Sequence, residues 1–227
     1  MQPPFEFDPM VCFPVGKSRP LPTGYASPDL VDLEAAVIPI QKPERLRAIV
    51  LPDLVGLLAA AREHAHDFAL ISAYRSEEYQ RDLFARYIQR ELADGAPDEH
   101  EAAERANRCS ANPGHSEHQL GTTIDLSVAA LDFRLSPDLG DLPEGQWLAT
   151  DAWRFGFLHS YPAGSESRTG YTFEPWHLRW LGRELAAHIH ADGFMRDGVW
   201  NEMQPTLEEL LDSSTNDGSW FDEPDRA

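Results

Sequence analysis

The stretch from Thr122 to Val128 constrains this chain more than any other. Ile124, Leu126 and Val128 alternate there with Thr123, Asp125 and Ser127. A period of two is the signature of a half-buried strand, apolar on one face and polar on the other. Asp125 therefore stands on the polar side. The loop before the strand, Ser110 to Gly121, carries His115, Ser116, Glu117 and His118. Gly121 permits a close approach between that loop and the strand.

Around this strand the pattern is mixed. Arg45 to His66 carries Leu46, Ile49, Val50, Leu54, Leu57 and Leu58, a helical spacing interrupted by Pro52. Phe68 to Ala73 reads as a strand. Ser76, followed by Glu77 and Glu78, caps a helix running to Leu92. Asp94 to Pro97 ends it, and a further helix reaches Asn107. Trp147 to Phe155 reads as helix and Gly156 to Tyr161 as strand. From Pro175 onward Leu178, Leu181, Leu185 and Ile189 predict a helix, with Pro175 in its first turn and Gly193 as its stop. Thr206 to Leu211 adds a short helix. Strands and helices follow one another without a regular βαβ rhythm, so the expected fold is α+β. The expected organisation is an extended, Pro- and Gly-rich arm over 1–27, one domain over 28–212 and an acidic tail over 213–227.

The chain has 227 residues, 42% of them hydrophobic, enough for one buried core. Its formal net charge is −19. A surface of that sign repels phosphate backbones and anionic lipid, which excludes nucleic-acid and membrane-surface partners and leaves small peptides or sugars. Cys12 and Cys109 are too few for a disulfide framework. No stretch reaches the roughly twenty apolar residues of a membrane span. With no signal peptide in Met1 to Phe13, the sequence as it stands is expected to be cytoplasmic, or extracytoplasmic if exported by another route. Oligomeric state is left open.

The chemistry concentrates in the histidines. A loop His followed by a strand Asp sets imidazole and carboxylate side by side. A catalytic zinc takes three N or O ligands and keeps one position open. By spacing alone the loop ligand is either His115 or His118, or the loop is simply a polar turn. The third ligand comes from Glu174-Pro175-Trp176-His177. A helical turn there would put Glu174 beside His177, facing the metal-bound water as general base.

The run Ser116-Glu117-His118-Gln119-Leu120-Gly121-Thr122-Thr123-Ile124-Asp125 resembles the Ser-x-His-x-x-Gly-x-x-x-Asp motif of the D-alanyl-D-alanine carboxypeptidase family. Thr169-Gly170-Tyr171 with Glu174-Pro175-Trp176-His177 is similar to its second motif, and Ser72-Ala73-Tyr74-Arg75-Ser76 to its upstream signature. Val15-Gly16-Lys17 and Asp29-Leu30-Val31 resemble its N-terminal arm.

The resemblance implies a zinc peptidase: a small antiparallel sheet carrying the zinc, with helices packed on the opposite face. It assigns His118, Asp125 and His177 as ligands, Glu174 as base, and Arg75 as the cation steadying the oxyanion or bound peptide. Gln80, Ser116 and Tyr171 match positions lining the substrate pocket. From the residues alone, Arg75 could instead pair with Glu78 or Asp82, and Tyr171 could be core.

His159-Ser160-Tyr161-Pro162 departs from the family's Leu-Arg-Tyr-Pro, and Ser165 and Glu166 stand near where a Lys is frequent. The expected activity is zinc-dependent D,D-carboxypeptidase action on D-Ala-D-Ala-ending peptidoglycan stem peptides. Its alternatives are a D,D-dipeptidase acting on D-amino-acid dipeptides, an L,D-peptidase of endolysin type, or a non-catalytic zinc-stabilised muropeptide-binding module.

Overall fold

A computed structural model describes residues 11–35 and 38–191. The expected acidic tail, the short helix at Thr206 to Leu211 and the Gly193 stop lie outside the described residues.

The chain lays down β1 (Leu30–Asp32), β2 (Arg45–Arg47), α1 (Leu51–Glu63), β3 (Phe68–Ser72), α2 (Glu77–Ala93) and α3 (Glu99–Ala106). It continues with β4 (Thr123–Val128), α4 (Pro143–Asp151), β5 (Phe157–His159), α5 (Glu166–Thr169), β6 (His177–Trp180) and α6 (Arg183–Ala191). β1 and β2 form a small antiparallel pair. The main sheet has the order β3-β4-β6-β5, antiparallel throughout. The fold is α+β.

Local chemistry sets the helix starts. Ser76 accepts a hydrogen bond from the Tyr79 amide at 3.1 Å, with Glu77 and Glu78 in the first turn of α2. Asp98 caps α3 in the same way, accepting from the Glu101 amide at 2.9 Å. Pro52 does not interrupt a helix as the spacing suggested. It lies in the first turn of α1, where an amide is dispensable, and the residues before it form β2 and a 3-10 turn.

Ile124, Leu126 and Val128 point into the core together with Phe68, Leu70, Phe157, Leu178 and Trp180. α1 covers that face with Leu54, Leu57 and Leu58, α4 with Trp147 and Leu148, and α6 with Leu185 and Ile189. The other face holds Thr123, Asp125, Ser127, His177 and Arg179, as strand alternation requires. All of these are also buried, so β4 is covered on both sides rather than one. α2 does not join the helices behind the sheet. It walls a cleft on the polar side.

One element was misread from the spacing. Residues 177–180 form a strand, and the helix starts only at Arg183, after Gly182 at φ 83°. β6 lies between β4 and β5 and bonds to both. Two ladders outweigh the weak helical preference of four residues.

Ile124 is fully buried where the ladder meets the core. Ile124→Ala should lower unfolding free energy by about 2–5 kcal/mol, read from urea midpoints at unchanged m-value.

Candidate metal centre

The antiparallel register sets Asp125 directly opposite His177. The third member arrives from the loop. Residues Glu117–Leu120 form a 3-10 turn, and Gly121 in the left-handed region, φ 71°, reverses the chain into β4. This holds His118 over the strand it precedes. One donor atom each from His118, Asp125 and His177 lie within 4.8 Å of one another, and all three side chains are buried.

The orientations are fixed from behind. His118 Nδ1 lies 2.6 Å from the Ala73 carbonyl, a pure acceptor, so this nitrogen carries the proton. Its Nε2 then faces Asp125 Oδ2 at 3.2 Å. His177 is turned the other way round. Its Nε2 lies 2.8 Å from Glu117 Oε2, and its Nδ1 3.2 Å from Asp125 Oδ1. Once both rings are neutral, each can turn one unprotonated nitrogen toward the aspartate's side while the other donates outward. That is the arrangement a divalent cation needs from two neutral histidines, and the donor set of two imidazoles and one carboxylate suits zinc.

Arg75 does not pair with Glu78 or Asp82. Its Nη2 donates to Asp125 Oδ2 at 2.5 Å and its Nε to Ser72 Oγ at 2.9 Å. A register shift between Leu70 and Ser72 brings Ser72 opposite Asp125, which is how a bulge re-aims a side chain. Glu174 Oε2 stands 3.7 Å from His177 Nδ1, and the Glu174 amide donates to the Tyr161 carbonyl at 3.1 Å.

The three acids of the centre are differently held. Burial opposes ionisation of Glu117, but the Arg179 charge and the His177 hydrogen bond take its pKa down to about 2. Asp125 also sits well below the usual carboxylate range, since His118 and Arg75 outweigh its burial. Burial pushes Glu174 up to about 7, with Asp125 adding to the rise. Burial, then Arg75, lowers His118 to about 4. For His177 the hydrogen bonds to Asp125 and Glu117 overcome burial and raise it to about 10.

The centre floors a cleft of about 490 Å³. Ser116 and Tyr171 line it, as do Arg75 and Glu174. Tyr171 is also packed against Tyr161, ring centroids 4.6 Å apart, so it is both core and wall. Gln80 stands one layer back. Its amide nitrogen donates to the Ala111 carbonyl at 2.8 Å and to Ser110 Oγ at 3.2 Å, bracing the wall rather than forming its surface. Cys109 lines the cleft and Cys12 is buried, and the two are not joined in a disulfide. His115 turns away, with Nδ1 2.7 Å from the Gly16 carbonyl.

Two buried residues of the centre were not singled out from the sequence, Glu117 and Arg179. Glu117 lies inside the loop motif beside His118. Arg179 follows His177 by two, on the same strand face, a relation visible only once 177–180 is read as a strand. Ser160, the departure from the family pattern, donates to Glu117 Oε2 at 2.6 Å.

A triad able to hold a metal, at the edge between loop and sheet with an acid beside it, sits in a small α+β fold like that of a Zn(II)-bound peptidase. The chain belongs to the VanY D-alanyl-D-alanine carboxypeptidase family, whose profile matches residues 43–183. It is 30% identical over 177 residues to the putative carboxypeptidase YodJ of Bacillus subtilis (strain 168), covering 77% of this chain and 61% of that protein. It is 31% identical over 187 residues to a D-alanyl-D-alanine carboxypeptidase of Enterococcus faecalis (strain ATCC 700802 / V583), covering 82% of this chain and 64% of that one. The chain therefore spans just under two thirds of these relatives' length. Among solved structures it is similar to a Zn(II) complex of the vancomycin-resistance D,D-pentapeptidase VanY, at 28% identity and TM-score 0.70, covering 89% of this chain and 99% of that one. It is also similar to the LD-carboxypeptidase LdcB, at 27% identity and TM-score 0.69, covering 90% and 87%.

Gly121 carries the loop's geometry. A Cβ there would lie 2.6 Å from Ser27 Oγ and 3.0 Å from both Arg47 Cγ and Leu30 Cδ2. Gly114 is also left-handed, φ 81°, but faces open space. Gly114→Ala should cost about 1–2 kcal/mol for backbone conformation alone, and Gly121→Ala clearly more. Paired urea unfolding curves give the difference, and equal losses would contradict the close fit.

Proposed function

We propose that this chain is a zinc-dependent D,D-carboxypeptidase that removes the terminal residue from D-Ala-D-Ala-ending peptidoglycan stem peptides. The observation that carries the reading is the convergence of His118, Asp125 and His177 within 4.8 Å at the floor of a cleft, with Glu174 beside them. The match to Zn(II)-bound VanY supports the choice of metal.

His118 through Nε2, Asp125, and His177 through Nδ1 would hold the zinc. When bound, the ion supplies Lewis acidity, polarising the scissile carbonyl and acidifying a water. The chain's own residues do the rest. Glu174 takes a proton from the attacking water and returns it to the amine of the departing D-alanine. The C–O bond forms first, and the peptide C–N bond breaks as the amine nitrogen takes the proton, giving a shortened peptide and one free amino acid. Arg75 keeps Asp125 in place and presents its guanidinium to the cleft, where it steadies negative charge growing on the carbonyl oxygen.

Ser116 and Tyr171 offer hydroxyl groups to the substrate's terminal carboxylate. The Tyr171 hydroxyl is buried and has no hydrogen-bond partner among the described residues, which leaves it free to donate. Lys42 and Arg90 also line the cleft, placing cations where a chain of net charge −19 would otherwise repel an acidic peptide. A base and an arginine beside the donors weigh against a mere binding module, since a structural site has no use for either.

The similarity to LdcB at nearly the same TM-score makes L,D-carboxypeptidase action the second reading. Pentapeptide, tetrapeptide and free D-Ala-D-Ala, incubated separately and followed by mass spectrometry, separate the possibilities. The proposal expects D-alanine release from the pentapeptide and loss of turnover with chelator. Cleavage of only the tetrapeptide, or only the dipeptide, would replace it. Glu174→Ala should retain stoichiometric zinc and lose about 10²–10⁴-fold in kcat; unchanged turnover would sink the assigned role.

A further inference from the structure

His177 does not stand alone on its strand. Arg179, two residues on, shares its face and is 1% exposed. A buried guanidinium needs acceptors for its N–H groups, and these come from two distant segments. Nη1 donates to Glu117 Oε1 at 3.1 Å. Nη2 donates to the carbonyls of Val11 and Phe13, at 2.7 and 2.8 Å. Glu117, also 1% exposed, spends its other oxygen on His177 Nε2 and Ser160. The contacts form one buried line: arm carbonyls, Arg179, Glu117, His177.

The arm is also held by apolar packing, Val11 and Cys12 in the main core and Val15 and Leu21 against Leu120 of the metal loop. Several of its hydrogen bonds follow the back of the metal loop. Leu21 donates to the Gly114 carbonyl at 2.8 Å, Gly16 accepts from His115, and Ser27 donates to the Leu120 carbonyl at 2.8 Å. An arm that wraps the loop while its carbonyls turn an arginine toward the loop's glutamate is joined to the centre by geometry.

We propose that Glu117 is a positioning residue for His177, and that the N-terminal arm, through Arg179, is a working part of the metal centre whose order is coupled to metal binding. The inference rests on the zinc reading given above. Glu117 orients the imidazole so that Nδ1 faces Asp125, as an outer carboxylate does for a ligating histidine. Arg179 holds Glu117 turned toward His177. The Val11 and Phe13 carbonyls keep Arg179 extended, since in their absence two buried N–H groups would lose their acceptors. Coupling of this kind is reciprocal: if the arm supports the metal, the metal must steady the arm.

Glu117→Gln breaks the line at its middle. The amide still offers one acceptor to His177 but sets an N–H against Arg179. The double variant Glu117→Gln/Arg179→Met removes both opposing charges, leaving local net charge unchanged and no buried charge unpaired, and carries the test should the single variant be too unstable to purify. Two readouts apply to the full-length chain: zinc affinity by chelator competition, and hydrogen exchange of the amides of Val15, Gly16, Arg19 and Leu21 with and without zinc. In the wild type, zinc should slow exchange at these arm amides. In both variants that response should vanish, with zinc bound about 10–100-fold more weakly. Wild-type affinity in the variants, or arm amides indifferent to zinc in the wild type, would overturn the coupling while the zinc reading stands. A wild-type chain that takes up no zinc at all would overturn both.

Discussion

The register between β4 and β6, which sets Asp125 across from His177, is the constraint on which the rest of this structure depends. Side chains alternate along both strands, so a slip of one residue would carry the aspartate or the imidazole into the apolar core. The core prevents that slip. Ile124 and Leu178 face each other on the opposite side of the same ladder, and both are fully buried. Hydrophobic burial on one face thus specifies the polar constellation on the other, and the bulge in β3 extends that control to Ser72 and through it to Arg75.

The second organising fact is the way charge is shared among three acids in one small volume. Asp125 has Arg75 and Glu117 has Arg179, each as a direct ion pair. Glu174 is paired with no arginine among the described residues, only with His177 at 3.7 Å, and is the one carboxyl of the three raised rather than lowered. Bringing three carboxylates together without this separation would be unfavourable, because like charges in a dry site raise one another's pKa. Pairing two of them leaves the third as the group able to exchange a proton. Which acids are held ionised and which is raised is therefore set by where the two arginines lie.

Much of this was legible in the sequence. The alternation from Thr122 to Val128 gave β4, its faces and the direction of Asp125, because a period of two has a single geometric meaning. The loop ligand was not decidable from spacing, since His115 and His118 are both within reach. It took the family motif to choose His118, and the structure places His115 against the Gly16 carbonyl instead. β6 was misread because Leu178, Leu181 and Leu185 follow a helical spacing, although only the last lies in a helix. Its strand character comes from neighbours on both sides, information held in tertiary pairing and not in four residues of local sequence. That error concealed Arg179, since only a strand puts residue 179 on the face of residue 177. Glu117 was hidden differently: acids are mostly solvated, and nothing local announces that one is fully buried among a serine, an imidazole and a guanidinium.

The charge of the whole chain and the charge of its cleft have opposite consequences, and the distance scale decides between them. A net charge of −19 would hold anionic peptides away if it acted over the full surface. At about 0.1 M salt, however, exposed charges are screened beyond about 10 Å. Within that range lie the cations Lys42, Arg75 and Arg90, which line the cleft together with the acids of the centre. Arg75 is also the least screened of them, being partly buried and locked to Asp125 and Ser72. On the proposed reading, recognition of an acidic peptide rests on the cations beside the triad, with Arg75 the one held in place, and not on the acidic exterior.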